Sequence, residues 1–155
     1  MTSTISGRFS ATHSNRPTYV PDHPPVPVLN AAIWVPDVAT NVSVNLEFLV
    51  DTGADMTVLH PQDSLRMLTT PEQWNTIHAI RPTHFGGAGR GLPYYPIRAY
   101  LFLSCDDGTI DSNEFMLYVA EPVPELAGTE SLLGRDILGR YSLTFAQFSS
   151  LSLVR

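Results

Sequence analysis

Apolar and polar side chains alternate strictly along residues 42–48, and this alternation constrains the fold more than any other feature of the chain. A period of two places the apolar residues on one face of an extended segment, as in a strand with one buried side. Leu49 and Val50 then continue the apolar side chains without a gap, which indicates that the strand enters the core just before Asp51. The sequence therefore predicts a β-strand that carries a carboxylate at its end.

Further strand-like segments lie at residues 28–35, 56–59, 97–103, 114–119 and 143–154. Asp107-Gly108 lies between two of these apolar runs, which is typical of a β-hairpin. Helix signals are few. Pro61 fits the first turn of a short helix, Thr70 and Gln73 fit a capping box, and residues 135–140 are a third short candidate. We expect a mostly β fold.

The first 25 residues differ in composition from the rest and contain four prolines among Ser, Thr, His and Asn. Proline cannot continue a helix or a central strand. We therefore expect an extended Pro-rich N-terminal arm at residues 1–25, followed by one domain at residues 26–155. An interaction arm, a removable segment and a mobile terminus all remain open.

Charge and cysteine content exclude several classes of partner. The chain of 155 residues has 15 acidic and nine basic residues, all arginine, for a formal charge of −6. This argues against binding to nucleic acid or to an anionic membrane, since both require a basic face. The polar N-terminus and the single cysteine, Cys105, favour a cytoplasmic protein without disulfides. We expect no metal and no cofactor, because His60, His78 and His84 lack the spacing of a metal site.

Asp51-Thr52-Gly53 is the most informative short motif. A carboxylate at the end of an apolar strand is held rigidly, as catalysis requires, and Gly53 permits a tight turn. The alternative is an Asx turn in which Asp51 only caps its own backbone.

Two further segments favour the catalytic interpretation. Leu132, Leu133 and Gly134 could support the Asp51 turn from beneath, and Arg135 could pair with Asp55 or Asp136. The glycine-rich segment 85–91 is not a phosphate-binding loop, because no Lys-Ser/Thr follows it. We expect a flexible hairpin there, flanked by strands at 77–80 and 97–103, that closes over a ligand.

These segments, L-V-D-T-G-A-D-M-T at 49–57, F-G-G-A-G at 85–89 and L-L-G-R-D at 132–136, occur in the order found in the retropepsins. This family comprises the single-domain aspartic proteases of retroviruses and their cellular and bacterial relatives. The resemblance covers about residues 26–150. It implies a closed, barrel-like fold with one or two short helices, and an aspartic endopeptidase that cleaves extended polypeptides.

The resemblance also implies roles for individual residues. Asp51, Thr52 and Gly53 would form the catalytic segment. Substrate binding would fall to Ala54, Asp55, Gly86, Gly87, Ala88 and Gly89, and structural support to Leu133, Gly134, Arg135 and Asp136. Such hydrolysis needs two carboxylates that share a proton, yet the chain has one Asp-Thr-Gly. We therefore expect a homodimer with one Asp51 from each subunit; a non-catalytic peptide-binding or dimerisation module is the alternative.

Overall fold

The computed structural model describes residues 2–11, 24–38, 44–85, 91–146 and 149–155. The strands of these residues are β1 (Thr4–Ser10), β2 (Val26–Trp34), β3 (Val44–Val50), β4 (Val58–Leu59), β5 (Thr83–His84), β6 (Pro93–Ser104), β7 (Ile110–Ala120), β8 (Leu132–Leu133), β9 (Ser142–Ala146) and β10 (Ser150–Val154). The α-helices are α1 (Pro61–Met67), α2 (Pro71–His78) and α3 (Arg135–Leu138), with a 3-10 turn at Pro124–Leu126. The fold is mostly β, as expected. Its three α-helices lie at the three helix candidates of the sequence, one more than the one or two that the resemblance implies.

The strands form one sheet in the order β5-β6-β7-β4-β8-β3-β2-β1-β10-β9. A further antiparallel pairing between β2 and β6 joins Ile33 to Leu101 and closes the middle strands into a ring. Most neighbours are antiparallel, but β8 runs parallel to β3, and β4 runs parallel to β7. The ring agrees with the closed architecture that the resemblance implies.

Strand β3 confirms the alternation over residues 44–48, whereas residues 42 and 43 lie outside the described residues. Leu46, Phe48 and Val50 point into the core and are at most 4% exposed, whereas Asn45 and Glu47 face outward. Full burial of each such side chain stabilises a fold by about 1.5–3 kcal/mol. The alternating pattern therefore fixes which face of the sheet is buried.

The hairpin predicted around Asp107-Gly108 is also confirmed. Strands β6 and β7 pair from Tyr94 with Ala120 to Ser104 with Ile110. Gly108 adopts a positive φ of 84°, a conformation that favours glycine. An Asp107 carboxylate oxygen accepts the backbone N–H of Thr109 at 2.9 Å, which closes the turn.

Helix α2 has the predicted capping box. The Thr70 hydroxyl accepts the Gln73 backbone N–H, and the Gln73 side chain accepts the Thr70 backbone N–H. The prediction of a strand at 77–80 was wrong, because Ile77 is the buried residue of this amphipathic helix. The strand that precedes the glycine-rich loop is β5, where Thr83 pairs with Tyr94.

The N-terminal residues add a strand to the sheet. Strand β1 lies between β2 and β10, with Ser10 paired to Val26 and Ile5 to Leu153. Residues 12–23 of the expected arm lie outside the described residues, and the domain boundary after residue 25 stays a prediction. No helix within the described part of the chain is long and apolar enough to cross a membrane.

Candidate active site

Asp51 is held at the carboxyl end of β3 by the short strand β8. The Asp51 backbone N–H donates to the Leu133 carbonyl at 3.1 Å, and the Leu49 N–H donates to the Ser131 carbonyl at 2.9 Å. Leu133, which has no exposed surface, pairs with Val50 in parallel register. Hydrogen bonds therefore join β8 to the end of β3, where Asp51 lies.

The turn after Asp51 is fixed by its own backbone and by one carboxylate oxygen. The Ala54 N–H donates to the Asp51 carbonyl at 3.2 Å, and the Gly53 N–H donates to Asp51 Oδ1 at 2.8 Å. The Asx turn considered as an alternative is thus present, but it engages Oδ1 only. Thr52 and Gly53 are exposed, and Asp51 is partly exposed, so the carboxylate can meet a ligand from solvent.

The segment after this turn is joined to the start of α3 through the backbone. The Arg135 N–H donates to the Ala54 carbonyl at 2.9 Å, and the Asp136 N–H donates to the Asp55 carbonyl at 3.2 Å. Two segments that are distant in sequence are therefore held together by backbone hydrogen bonds. A displacement of α3 would move Ala54 and Asp55 with it.

Thr57 is the buried centre of this junction, and no pattern in the sequence predicted a role for it. Its hydroxyl donates to Asp136 Oδ1 at 2.7 Å and accepts the Gly134 N–H at 3.1 Å, and Thr57 has no exposed surface. A Cβ on Gly134 would lie 2.5 Å from the Met56 carbonyl group. Gly134 is therefore required by close backbone approach. A hydroxyl residue just before the apolar pair of β4 is the only signal in the sequence.

Arg135 pairs with Asp55, one of the two partners considered from the sequence. Both side chains are largely exposed, 61% for Arg135 and 74% for Asp55. An ion pair in this setting contributes about 0–1 kcal/mol to stability. Asp136 instead accepts hydrogen bonds from Thr57 and from the Ile137 N–H.

The four predicted loop-tip residues, Gly86, Gly87, Ala88 and Gly89, lie outside the described residues. The base of that loop is described: the Gly91 N–H donates to the Phe85 carbonyl at 2.8 Å. Phe85 packs edge-on against Tyr94 and Tyr118, with ring centroids 5.1 and 4.9 Å away. The loop therefore starts from an aromatic cluster on β6 and β7.

The three histidines considered for metal binding are all described, and each has a different environment. His60 is buried, His78 at the end of α2 pairs with Glu121 just after β7, and His84 is exposed on β5. Within the described ranges, no three His, Cys, Asp or Glu residues are grouped so that they could hold a metal ion.

The chain is similar to one known protein family and to solved structures. The family model "Retroviral aspartyl protease" matches residues 25–145. The crystal structure of a retropepsin-like aspartic protease from Rickettsia conorii aligns with 99% of this chain and 90% of its own, at 20% identity and a TM-score of 0.51. EIAV protease complexed with the inhibitor HBY-793 aligns with 79% of this chain and 92% of its own, at 22% identity and a TM-score of 0.39.

A comparison with curated protein sequences gives no significant match. The similarity to the Rickettsia structure supports the fold alone, whereas the family model spans most of the chain and includes the Asp51 turn and α3. The chain belongs to the retroviral aspartyl protease family.

Proposed function

We propose that this protein is an aspartic endopeptidase, and that its active site forms between two copies of the chain. The observation that carries the proposal is the attachment of Asp51 to β8 in a chain with a single Asp-Thr-Gly. A rigid, solvent-accessible carboxylate suits catalysis. A second one is still needed, and a twofold axis supplies it from an identical chain.

The proposed chemistry is hydrolysis of a peptide bond by an activated water. One Asp51 carboxylate takes a proton from the water while the other, protonated, donates a hydrogen bond to the scissile carbonyl. Two facing carboxylates repel each other when both are charged, so the pair holds one proton. The water oxygen adds to the carbonyl carbon, and the amine leaves with a proton after the C–N bond breaks.

The residues around Asp51 take supporting roles in this proposal. Thr52 braces the two catalytic turns against each other across the dimer. Gly53 lies near the substrate backbone, where a side chain would intrude. Ala54 and Asp55 contact the substrate main chain, and Asp55 is held in place by Arg135.

Gly86, Gly87, Ala88 and Gly89 form the proposed flap over the substrate. The substrate is an extended polypeptide that adds as a strand between the flap and the Asp51 floor, with main-chain hydrogen bonds to both. Leu133, Gly134 and Asp136 support the floor from below. This support is the backbone network described above.

The direct test is incubation of the protein with an unstructured polypeptide at pH 4–6, with and without pepstatin. We expect cleavage that pepstatin inhibits, from a species that sediments as a dimer. Binding without cleavage across a range of polypeptides would favour the peptide-binding module instead. Cleavage by a monomer would contradict the two-chain site.

A further inference from the structure

A buried polar cluster lies beside β8, and the proposed chemistry assigns it no role. Its members are His60, Asp63, Tyr94, Glu130 and Ser131, each at most 8% exposed. Polar groups buried to this degree are costly unless they are hydrogen-bonded. Their arrangement is therefore specific, and His60 is at its centre.

Each ring nitrogen of His60 has a different partner. Nδ1 lies 2.5 Å from the Glu130 carbonyl oxygen, and Nε2 lies 3.0 Å from the Tyr94 hydroxyl. Because a carbonyl only accepts, Nδ1 carries the hydrogen and Nε2 accepts from Tyr94. A neutral imidazole satisfies both partners. A second proton would force the Tyr94 hydroxyl to turn and would place a charge in the core.

The same residue is attached to the start of β8. The His60 backbone N–H donates to Ser131 Oγ at 3.0 Å, and Ser131 Oγ donates to Asp63 Oδ2 at 2.6 Å. The carbonyl of Ser131 accepts the Leu49 N–H, one hydrogen bond before the contact between Leu133 and Asp51. His60 therefore holds the two residues just before β8: its ring binds Glu130, and its backbone N–H binds Ser131.

The opposite side of the His60 ring is attached to β6. The rings of His60 and Tyr94 pack edge-on at 5.9 Å, and Tyr94 packs against Phe85 at the base of the glycine-rich loop. The imidazole thus connects the strand that supports Asp51 with the strand that carries the loop base.

Among the residues that the structure describes, few charged and titratable groups face His60. They are Asp63 on α1, with Arg66 3.5 Å from its carboxylate, Tyr94 on β6, and Glu130, which meets the ring through its carbonyl. Burial lowers the pKa of His60 to about 4, and the Asp63 charge opposes this only in part. Burial also raises the pKa of Tyr94.

We propose that neutral His60 is a positioning residue for the Asp51 site, and that protonation of its ring in acid releases the start of β8. The inference rests on the proposed function where it concerns catalysis. The structural half, a pH-dependent loosening of residues 127–133, holds whether or not the protein cleaves peptides.

Hydrogen exchange tests the structural half without any activity. The full chain carrying Asp51→Asn is exchanged at pH 6 and pH 3, with rates corrected for intrinsic exchange, and peptides covering residues 127–133 are followed. We expect exchange to be at least about threefold faster at pH 3, and this ratio to be smaller in the chain that also carries His60→Asn. Equal protection at the two pH values in the chain that retains His60 would overturn the inference.

The pH profile of kcat/KM tests the catalytic half. One pH unit below a pKa of about 4, about a tenth of His60 remains neutral. Between pH 6 and pH 3 the natural chain should therefore lose about tenfold more activity than His60→Asn, in which the amide keeps a donor but cannot titrate. The matched control, His78→Asn, should follow the natural chain. The same acid loss in His60→Asn as in the natural chain would overturn the positioning role.

The two experiments separate the possible failures. An inactive natural chain that shows pH-dependent exchange contradicts the proposed function and supports the loosening of β8. An active chain with exchange that does not depend on pH contradicts the role of His60 and leaves the protease proposal standing. If His60→Asn fails to fold, the exchange measurement on the chain with His60 intact decides.

Discussion

The backbone N–H of Asp51 donates a hydrogen bond to the carbonyl of Leu133. The residue that carries the proposed catalytic carboxylate is therefore bound to β8, a strand of only two residues. Strand β8 is itself fixed at both ends, by Ser131 before it and by Gly134 after it.

Replacement of Asp51 by asparagine should abolish peptide cleavage and leave the fold intact, because the amide cannot act as a base but can still accept the Gly53 N–H. Cleavage assays and circular dichroism measure the two effects. Asp106→Asn is the matched control, since Asp106 is an exposed carboxylate in the β6–β7 turn. Cleavage by Asp51→Asn that pepstatin does not inhibit would refute the mechanism.

Gly134→Ala should lower the free energy of unfolding by about 1–3 kcal/mol, the usual cost of forcing an extra carbon into a packed site. The reason is the 2.5 Å approach of the added carbon to the Met56 backbone, which cannot rotate away. Urea denaturation measures the loss. Gly53→Ala is the comparison, because among the described residues its added carbon would meet only Asp51 Oδ1, at 3.1 Å. Equal stability losses in the two variants would contradict this account of Gly134.

Thr57→Val should also destabilise the protein, although valine has nearly the same shape. It removes the donor to Asp136 and the acceptor for the Gly134 N–H, and an unsatisfied buried group costs about 1–3 kcal/mol. Thermal denaturation provides the measurement. Thr144→Val on β9 is exposed and should change stability by less than about 0.5 kcal/mol. A neutral Thr57→Val would show that the junction does not depend on this hydroxyl.

His60 should make the fold less stable in acid. Its pKa in the folded chain, about 4, lies below the ordinary value of 6.5, so the unfolded chain binds more protons between these pH values. The free energy of unfolding therefore falls as the pH drops from 6.5 to 4 and levels off below, by about 3 kcal/mol in total from this residue.

Denaturation of Asp51→Asn at several pH values measures this slope without self-digestion. The additional change His60→Asn should flatten it, whereas His78→Asn should not. An unchanged slope after loss of His60 would contradict the assignment.

Local sequence signals predicted most of the strands and the two longer helices. The alternation that ends at Val50, the Asp107-Gly108 turn and the Thr70 capping box each depend on neighbours in the chain, so they can be read without the fold. The interpretation of residues 77–80 as a strand failed for a related reason. An apolar residue such as Ile77 near the end of a short segment fits a helix or a strand equally well. The contacts that bury Ile77 as part of α2 come from distant parts of the chain.

Contacts between distant segments were harder to foresee. The motif order predicts that Leu132, Leu133 and Gly134 lie against the Asp51 turn and that Arg135 pairs with Asp55 or Asp136. In the structure Leu133 pairs with Val50, and Arg135 pairs with Asp55. The buried contacts of Thr57 and of the His60 ring were not predicted from the sequence. Both depend on contacts between distant segments, of β4 with β8 and of His60 with Tyr94 on β6, which no local pattern encodes.

The central claim is that two chains share one active site, and subunit mixing tests it most directly. A fixed amount of natural chain is allowed to exchange subunits with a ninefold excess of Asp51→Asn, and the rate of peptide cleavage is measured. A site built from two Asp51 residues predicts that the rate falls to about one tenth, because about nine in ten natural chains then have an inactive partner. An unchanged rate would show that each chain carries a complete site and would contradict the account.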